Sequence, residues 1–516
     1  MFLRDFIARC AHTNGSHTAY ICRDRRRTWK EVHERSDRLG AALQNLGSRK
    51  GDVSGILAHN NIELAEHWAA CIKTGIVRAG INWRYSQREM LHAIRDCKLK
   101  TLLVDAASVP QIAEHLDDLR AAGIKLIGFG GAHGLEHDYE SLIRDNDRRP
   151  DYPPLADSDL IMIGYTSGTT GLPKGALLSQ RAIRESAVHN VLANGYSPED
   201  VRLYVTNPAG INIFQMCFNI ITGMTTVIDD YETQRFLDLV DEHRVTTVTL
   251  IPTILRRVLD ELKKGHHDIS SLKQICYGTM PATPSLIREA YATLGCTFMQ
   301  RYGVSESAGA VSALRDSDHR LALREEPELL TSVGRALMHA DVAIRDDDGN
   351  PVATGEQGTV WIRSDTLMDA YLNRPEETAE ALVLPWLRTG DFGRMDERGY
   401  IFLGDRKKHM IISGGMNVYP LGIENVLAEH PGISEAVVIG MPHPEWGEAV
   451  VAVISLAPGA TLSARDVTEF CRSRVAKFEV PKHVEIMDSL PQGNTNKIDK
   501  LGIKKMLAGR MPWPTA

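Results

Sequence analysis

The segment Tyr165-Thr166-Ser167-Gly168-Thr169-Thr170-Gly171-Leu172-Pro173-Lys174-Gly175 gathers three glycines, four Ser/Thr hydroxyls and one lysine into a single loop. Glycine accepts positive φ and lets a ligand come close to the backbone. Exposed N–H groups and hydroxyls can then donate to phosphate oxygens, and Lys174 adds a point charge. An apolar run, Leu160-Ile161-Met162-Ile163, precedes the loop and reads as a buried strand. The chemistry these residues suit is the binding of a polyphosphate. A Walker A loop has glycine directly before its lysine and Ser or Thr directly after it, and here Pro173 and Gly175 stand in those places. A dinucleotide fingerprint beginning at Gly128-Phe129-Gly130 fails too. His133 occupies the place of its third glycine, so this stretch reads as a strand-to-turn connection.

Five more clusters follow: Tyr302-Gly303-Val304-Ser305-Glu306, Arg388-Thr389-Gly390-Asp391, Gly404-Asp405-Arg406-Lys407-Lys408, Ser413-Gly414-Gly415-Met416-Asn417-Val418-Tyr419-Pro420 and Asn494-Thr495-Asn496-Lys497-Ile498. With the loop they make six motifs. In kind and order, across almost the entire chain, these resemble the motifs of the acyl-adenylate-forming superfamily: acyl-CoA synthetases, peptide-synthetase adenylation domains and luciferases. Such enzymes join a carboxylate to the α-phosphate of ATP, releasing pyrophosphate, and then let an acceptor displace AMP.

The resemblance implies a role for each motif. Thr166, Ser167, Gly168, Thr169, Thr170 and Lys174 would hold the β- and γ-phosphates. Glu306 would hold Mg²⁺, a hard ion suited to carboxylate and phosphate oxygens. Tyr302 would stack on adenine, with Gly303, Gly278 and Thr279 in the same nucleotide site. Ser305 stands where the family more often has Thr, and keeps the hydroxyl. Asp391 would accept both ribose hydroxyls, and Arg406 would make a second ribose and phosphate contact. Lys408 falls at the hinge, and His409 departs from the Asp usual after it. Lys497 would deliver an ammonium to the reacting carboxylate and α-phosphate, a contact of the kind worth about 10²–10³ in rate. After adenylation the family's C-terminal domain rotates, so that Ser413, Gly414 and Gly415 would line the thiol's path.

For the acyl group, alignment to motif positions points to Ile211, Asn212 and Met280. Ile211 replaces a His or aromatic gate, and Gly278-Thr279-Met280-Pro281 replaces the commoner Gly-Gly-Ala-Pro. Both changes suggest an apolar, partly narrowed pocket. No acid in these segments is placed for the α-ammonium of an amino acid. The expected reaction is therefore acid–CoA ligation with ATP, Mg²⁺ and CoA. Transfer to a carrier-protein phosphopantetheine or another acceptor stays open as the alternative. Retention of Lys497 and the Ser413–Asn417 loop argues against an inactive relative.

The bulk properties agree. A chain of 516 residues exceeds one ordinary core, and 43% hydrophobic with 24% charged residues is usual for a globular protein. A net charge of −7 argues against a nucleic-acid partner. The basic run from Arg23 to Arg27 reads as a solvated turn between two strands. Eight scattered cysteines without a C-x-x-C pair fit reduced thiols and a cytoplasmic location, and the 19 histidines show no zinc-type spacing. No stretch approaches the roughly 20 apolar residues of a membrane span. A homodimer is one arrangement left open.

The elements that must position these motifs read as α/β. Val32, Leu39, Leu43 and Leu46 form a helical stripe after the N-cap Thr28, Val53 to Leu57 is a strand, and Leu64 to Lys73 is a helix. Strands recur at 101–104, 124–129, 202–206, 225–228 and 246–251, which implies mostly parallel, helix-covered sheets. From about 332 the pattern turns to short strands and tight turns, a β-rich subdomain. The expected division is a large N-terminal AMP-binding domain over 1–405 and a small mobile α+β C-terminal domain over 409–516, hinged near Lys408.

Overall fold

The computed structural model describes the chain except residues 167–171, 266, 281, 405–410, 415, 494–497 and 514–516 and the side chain of Asn417. Two large sheets form the body. In the nine-stranded sheet, Thr297–Val304, Gln274–Gly278, Thr247–Leu250, Val201–Tyr204, Thr225–Ile228 and Thr18–Cys22 run parallel to their neighbours. Antiparallel strands Gly309–Leu314 and Arg25–Thr28 lie outside them. The eight-stranded sheet is parallel from Leu160–Thr166 through Val77–Ile81, Val53–Leu57, Thr101–Asp105 and Lys125–Phe129. Its central strands Val77–Ile81 and Thr101–Asp105 are buried along their whole length because both faces are covered.

Local chemistry fixes the helices between them. Helix Trp29–Asn45 starts at Thr28, whose hydroxyl accepts from the Glu31 N–H while Glu31 returns a bond to the Thr28 N–H at 2.7 Å. This capping box contributes about 1 kcal/mol. Helix Leu3–Thr13 buries Leu3, Ile7 and Cys10. The two sheets close on each other at Gly80, where any Cβ would stand 2.1 Å from the Ala209 carbonyl oxygen.

The basic run departs from its reading as a solvated turn. Arg23 and Asp24 do turn between two strands, but Arg25 grips the buried Glu63 with two bonds, and Arg27 reaches the buried Glu66. Tyr139 and Arg35 also donate to Glu66, so these arginines neutralise acids that burial would otherwise disfavour. The Gly128 turn behaves as expected. Its missing side chain leaves room for the His133 ring, which a Cβ would meet at 2.1 Å. All eight cysteines are buried and free.

A smaller antiparallel sheet follows, built of Ala340–Arg345, Gln357–Ser364, Leu382–Val383, Trp386–Met395 and Ile401–Leu403. From Ile411 onward a five-stranded sheet carries helices Pro420–Ala428, Ala464–Arg472 and Lys500–Leu507. Its two apolar clusters draw only on residues from 411 to 513, separate from those of the body. The expected hinge residue Lys408 lies outside the described residues. No described helix is long and apolar enough to cross a membrane.

Candidate active site

The glycine-rich loop and the Tyr302 motif lie at the carboxyl ends of strands of the two large sheets, where open α/β sheets bind ligands. Leu160–Thr166 pairs antiparallel with Lys174–Ser179, and Thr166 stands opposite Lys174 to close the glycine-rich loop. The Thr166 hydroxyl donates to the Lys174 carbonyl at 3.4 Å. Ser167, Gly168, Thr169 and Thr170 lie outside the described residues. The Lys174 ammonium sits 3.7 Å from Glu377 and 5.6 Å from the centre of the Tyr371 ring.

Strand Thr297–Val304 carries Tyr302 and Gly303, and a short turn, Ser305–Ser307, presents Ser305 and Glu306. Tyr302 is buried, and its hydroxyl donates to Asp391 Oδ2 at 2.8 Å. Asp391 follows Gly390, which has φ +73°, and its N–H donates to the Thr389 hydroxyl. Two residues expected in one nucleotide site thus come together from distant parts of the chain. Glu306 is held from both ends. Its carbonyl accepts from the Met368 N–H at 2.7 Å, and its Oε1 accepts from the Tyr371 hydroxyl at 2.5 Å. Tyr371 therefore links Glu306 to the lysine of the loop.

Ile211 and Asn212 open a short helical turn, Ile211–Gln215, and both keep partial exposure. Gly278 ends its strand beside Thr297–Val304, where a Cβ would stand 2.3 Å from the Arg301 carbonyl. Thr279 follows at φ +67° and Met280 comes next, both with exposed surface. The same sheet also carries a fully buried and a half-buried arginine. Arg202 and Arg301 both donate to the Thr249 hydroxyl, at 2.9 and 3.1 Å.

In the C-terminal unit Ser413 is buried at the end of Ile411–Ser413, and Gly414 turns at φ +59° with open space around its Cα. Gly415, Arg406 and Lys497 lie outside the described residues, although Gln492 and Ile498 form an antiparallel bridge around the last of these. The unit touches the body at Tyr419, whose ring stacks on Phe392 with centroids 5.9 Å and planes 9° apart.

The donor set suits Mg²⁺. Glu306, Thr166 and Ser305 offer hard oxygens. Among the described residues no three or more His, Cys, Asp or Glu side chains form a metal-holding group. An ion on Glu306 would complete its shell with phosphate oxygens and water, as Mg²⁺ does at nucleotide sites.

Sequence reasoning did not single out Tyr371, Glu377, Arg202 or Arg301. Tyr371 and Glu377 lie in no motif. Arg202 carried a usable signal, a charge inside the strand run Val201 to Val205, and Arg301 stands directly before the Tyr302 motif.

Comparison with known proteins fits this geometry. The AMP-binding enzyme family matches residues 7–372, and the AMP-binding enzyme C-terminal domain matches residues 422–497. The chain belongs to the AMP-binding enzyme family and is an adenylate-forming acid ligase. An indoleacetate–CoA ligase of Aromatoleum aromaticum is 33% identical over 98% of both chains. The fatty acid–[acyl-carrier-protein] ligase ScoC of Streptomyces coeruleorubidus is 32% identical over 93% of this chain and 91% of its own. Among solved structures, the amide bond synthetase McbA of Marinactinospora thermotolerans superposes with a TM-score of 0.86 at 28% identity, over 98% of this chain and 100% of its own. The o-succinylbenzoate–CoA synthetase MenE of Bacillus subtilis, in complex with ATP and magnesium, gives 0.82 at 26% identity, over 96% and 98%.

Proposed function

We propose that this chain activates an apolar carboxylic acid with ATP and passes the acyl group to CoA, releasing pyrophosphate and then AMP. The observation that carries the reading is the meeting of Tyr302 with Asp391, four residues before Glu306. The acid's carboxylate oxygen attacks the α-phosphorus and the bond to pyrophosphate breaks. Charge spreads over the phosphoryl oxygens, so fixed cations and donors carry most of the catalysis. In this reading Lys174 and the loop hydroxyls hold the leaving phosphates. Tyr302 and Asp391 fix adenine and ribose, and Lys497 approaches the reacting carboxylate. Mg²⁺ on Glu306 would neutralise phosphate charge. The CoA thiol then attacks the acyl carbon along Ser413 and Gly414, and AMP leaves. Carriage of a thiol substrate in the cytoplasm is compatible with eight buried, free cysteines.

Transfer to a carrier protein is the second reading, favoured by the 32% identity to a relative that uses an acyl-carrier protein. Pyrophosphate release across a library of carboxylic acids, with CoA, holo-carrier protein or no thiol, separates the two. CoA-dependent thioester with AMP supports the first. Absence of AMP with every acid rejects both.

A further inference from the structure

Arg202 is 1% exposed, in the middle of a sheet. Its guanidinium donates to the Tyr196 hydroxyl, the Gln215 side-chain carbonyl and the Thr249 hydroxyl, while its Nε has no partner. Arg301, three strands further along the same sheet, donates to Asn190 Oδ1 at 3.1 Å and to the same Thr249 oxygen. Each of these partners is neutral. Burial pushes the Tyr196 phenol up, so it supplies no negative charge. Among the described residues no carboxylate forms an ion pair with either arginine, although other arginines of the body, such as Arg25 and Arg35, take buried acids.

Two cations converging on one oxygen in a protein interior repel each other. A buried charge is expected to be paired, and an unpaired one is costly. The rings of Phe218 and Tyr196, 4.9 and 5.7 Å from the Arg202 guanidinium, offset part of that cost. Tyr196 also lies close enough to interact with Arg301, but as a neutral phenol it brings no charge. The cluster is therefore short of a negative charge.

Its position says where that charge comes from. Gln215 closes the turn that carries Ile211 and Asn212, and bonds to Asn212 as well. Arg301 directly precedes Tyr302 and lies across from Gly278, which leads to Thr279 and Met280. The cluster thus borders every segment expected to meet the acyl group. Thr249 and Arg301 are only partly buried, unlike Arg202 behind them, so the cluster keeps an accessible side.

We infer that Arg301, backed by Arg202 through Thr249, receives a second anionic group at the far end of the acyl substrate, so that the preferred acid is a dicarboxylate or a comparable acid with an apolar body. This rests on the adenylation reading and specifies its substrate. One carboxylate reacts with ATP, and the other stays bound and unreacted.

The test compares AMP formation from saturated monocarboxylates with that from α,ω-dicarboxylates of equal chain length, using the full chain with ATP and Mg²⁺. Wild type is expected to favour the dicarboxylate in kcat/KM by at least about 30-fold, as for a desolvated charge pair. Arg301→Gln should lower that ratio at least about 10-fold. A second readout needs no turnover: without ATP, the dicarboxylate should raise the melting temperature of wild type more than that of Arg301→Gln. Thr249→Val, which keeps the volume and removes the shared oxygen, should weaken the preference in the same direction. Activation of monocarboxylates with equal or better efficiency than diacids overturns the inference and leaves adenylation standing. A ratio that Arg301→Gln does not move also overturns it. Failure of every acid to yield AMP overturns the adenylation reading itself, and this inference with it.

Discussion

The Tyr302 hydroxyl donates to Asp391 Oδ2 at 2.8 Å, between positions 89 residues apart. A hydrogen bond to an ionised acceptor contributes about 1.5–3 kcal/mol, enough to hold ring and carboxylate in register before a nucleotide binds. Tyr302→Phe keeps the ring and removes the bond. Its KM for ATP is expected to rise about 10-fold with little change in kcat. Asp391→Asn also weakens the ribose contact and should raise KM about 100-fold. Pyrophosphate-release kinetics showing no change in KM for either variant would reject the ribose assignment.

Tyr371 holds Glu306 through a 2.5 Å bond, so the proposed metal acid has a positioning partner. Glu306→Gln is expected to lower kcat by about 10²–10³. Tyr371→Phe leaves the acid in place and should raise the Mg²⁺ concentration needed for half-maximal rate about 10-fold. If neither variant alters the Mg²⁺ titration, the ion is held elsewhere.

Lys497→Ala should separate the two half-reactions. Pyrophosphate release from ATP and acid is expected to fall by about 10²–10³. Thioester formation from supplied acyl-AMP and CoA should stay within a few-fold of wild type. Equal loss of both would mean that one arrangement of the C-terminal unit serves both steps.

His339 stacks on His189 with centroids 4.6 Å apart. Burial, with the neighbouring His189, pushes His339 from 6.5 down to about 4. Between these values the unfolded chain binds more protons than the folded one. Stability therefore falls as the pH drops from 6.5 towards 4, by about 1–2 kcal/mol after allowance for partial exposure and screening. His339→Phe keeps a stacked ring without the titration. Thermal melts should show a smaller loss between about pH 7.5 and pH 5 for the variant than for wild type. Parallel losses would remove His339 from the acid response.

Much of the scaffold was legible because its signals are local. Thr28 followed by Glu31 marks a helix start, and the buried strands Val53–Leu57 and Thr101–Asp105 are apolar runs of the right length. The motif residues were legible for a different reason: nucleotide chemistry needs particular residue types in a tight spacing. Tyr371 and Glu377 were hidden, since only the pairing of Ala370–Tyr371 with the strand after the loop brings them to Lys174 and Glu306. The charge beside the acyl segments was hidden for a related reason. Three strands of one sheet, two of them separated by a fourth, bring Arg202, Thr249 and Arg301 together, and strand order cannot be read along one chain.

Phe392 comes directly after Asp391, and its ring lies flat on Tyr419, which caps the first helix of the C-terminal unit. Any turn of that unit against the body has to peel these rings apart within one residue of the carboxylate proposed to hold ribose. Occupancy by nucleotide and orientation of the unit then bias one another equally, as linked equilibria must. In the proposed two-step reaction the aromatic pair would act as a latch whose opening is felt where AMP departs.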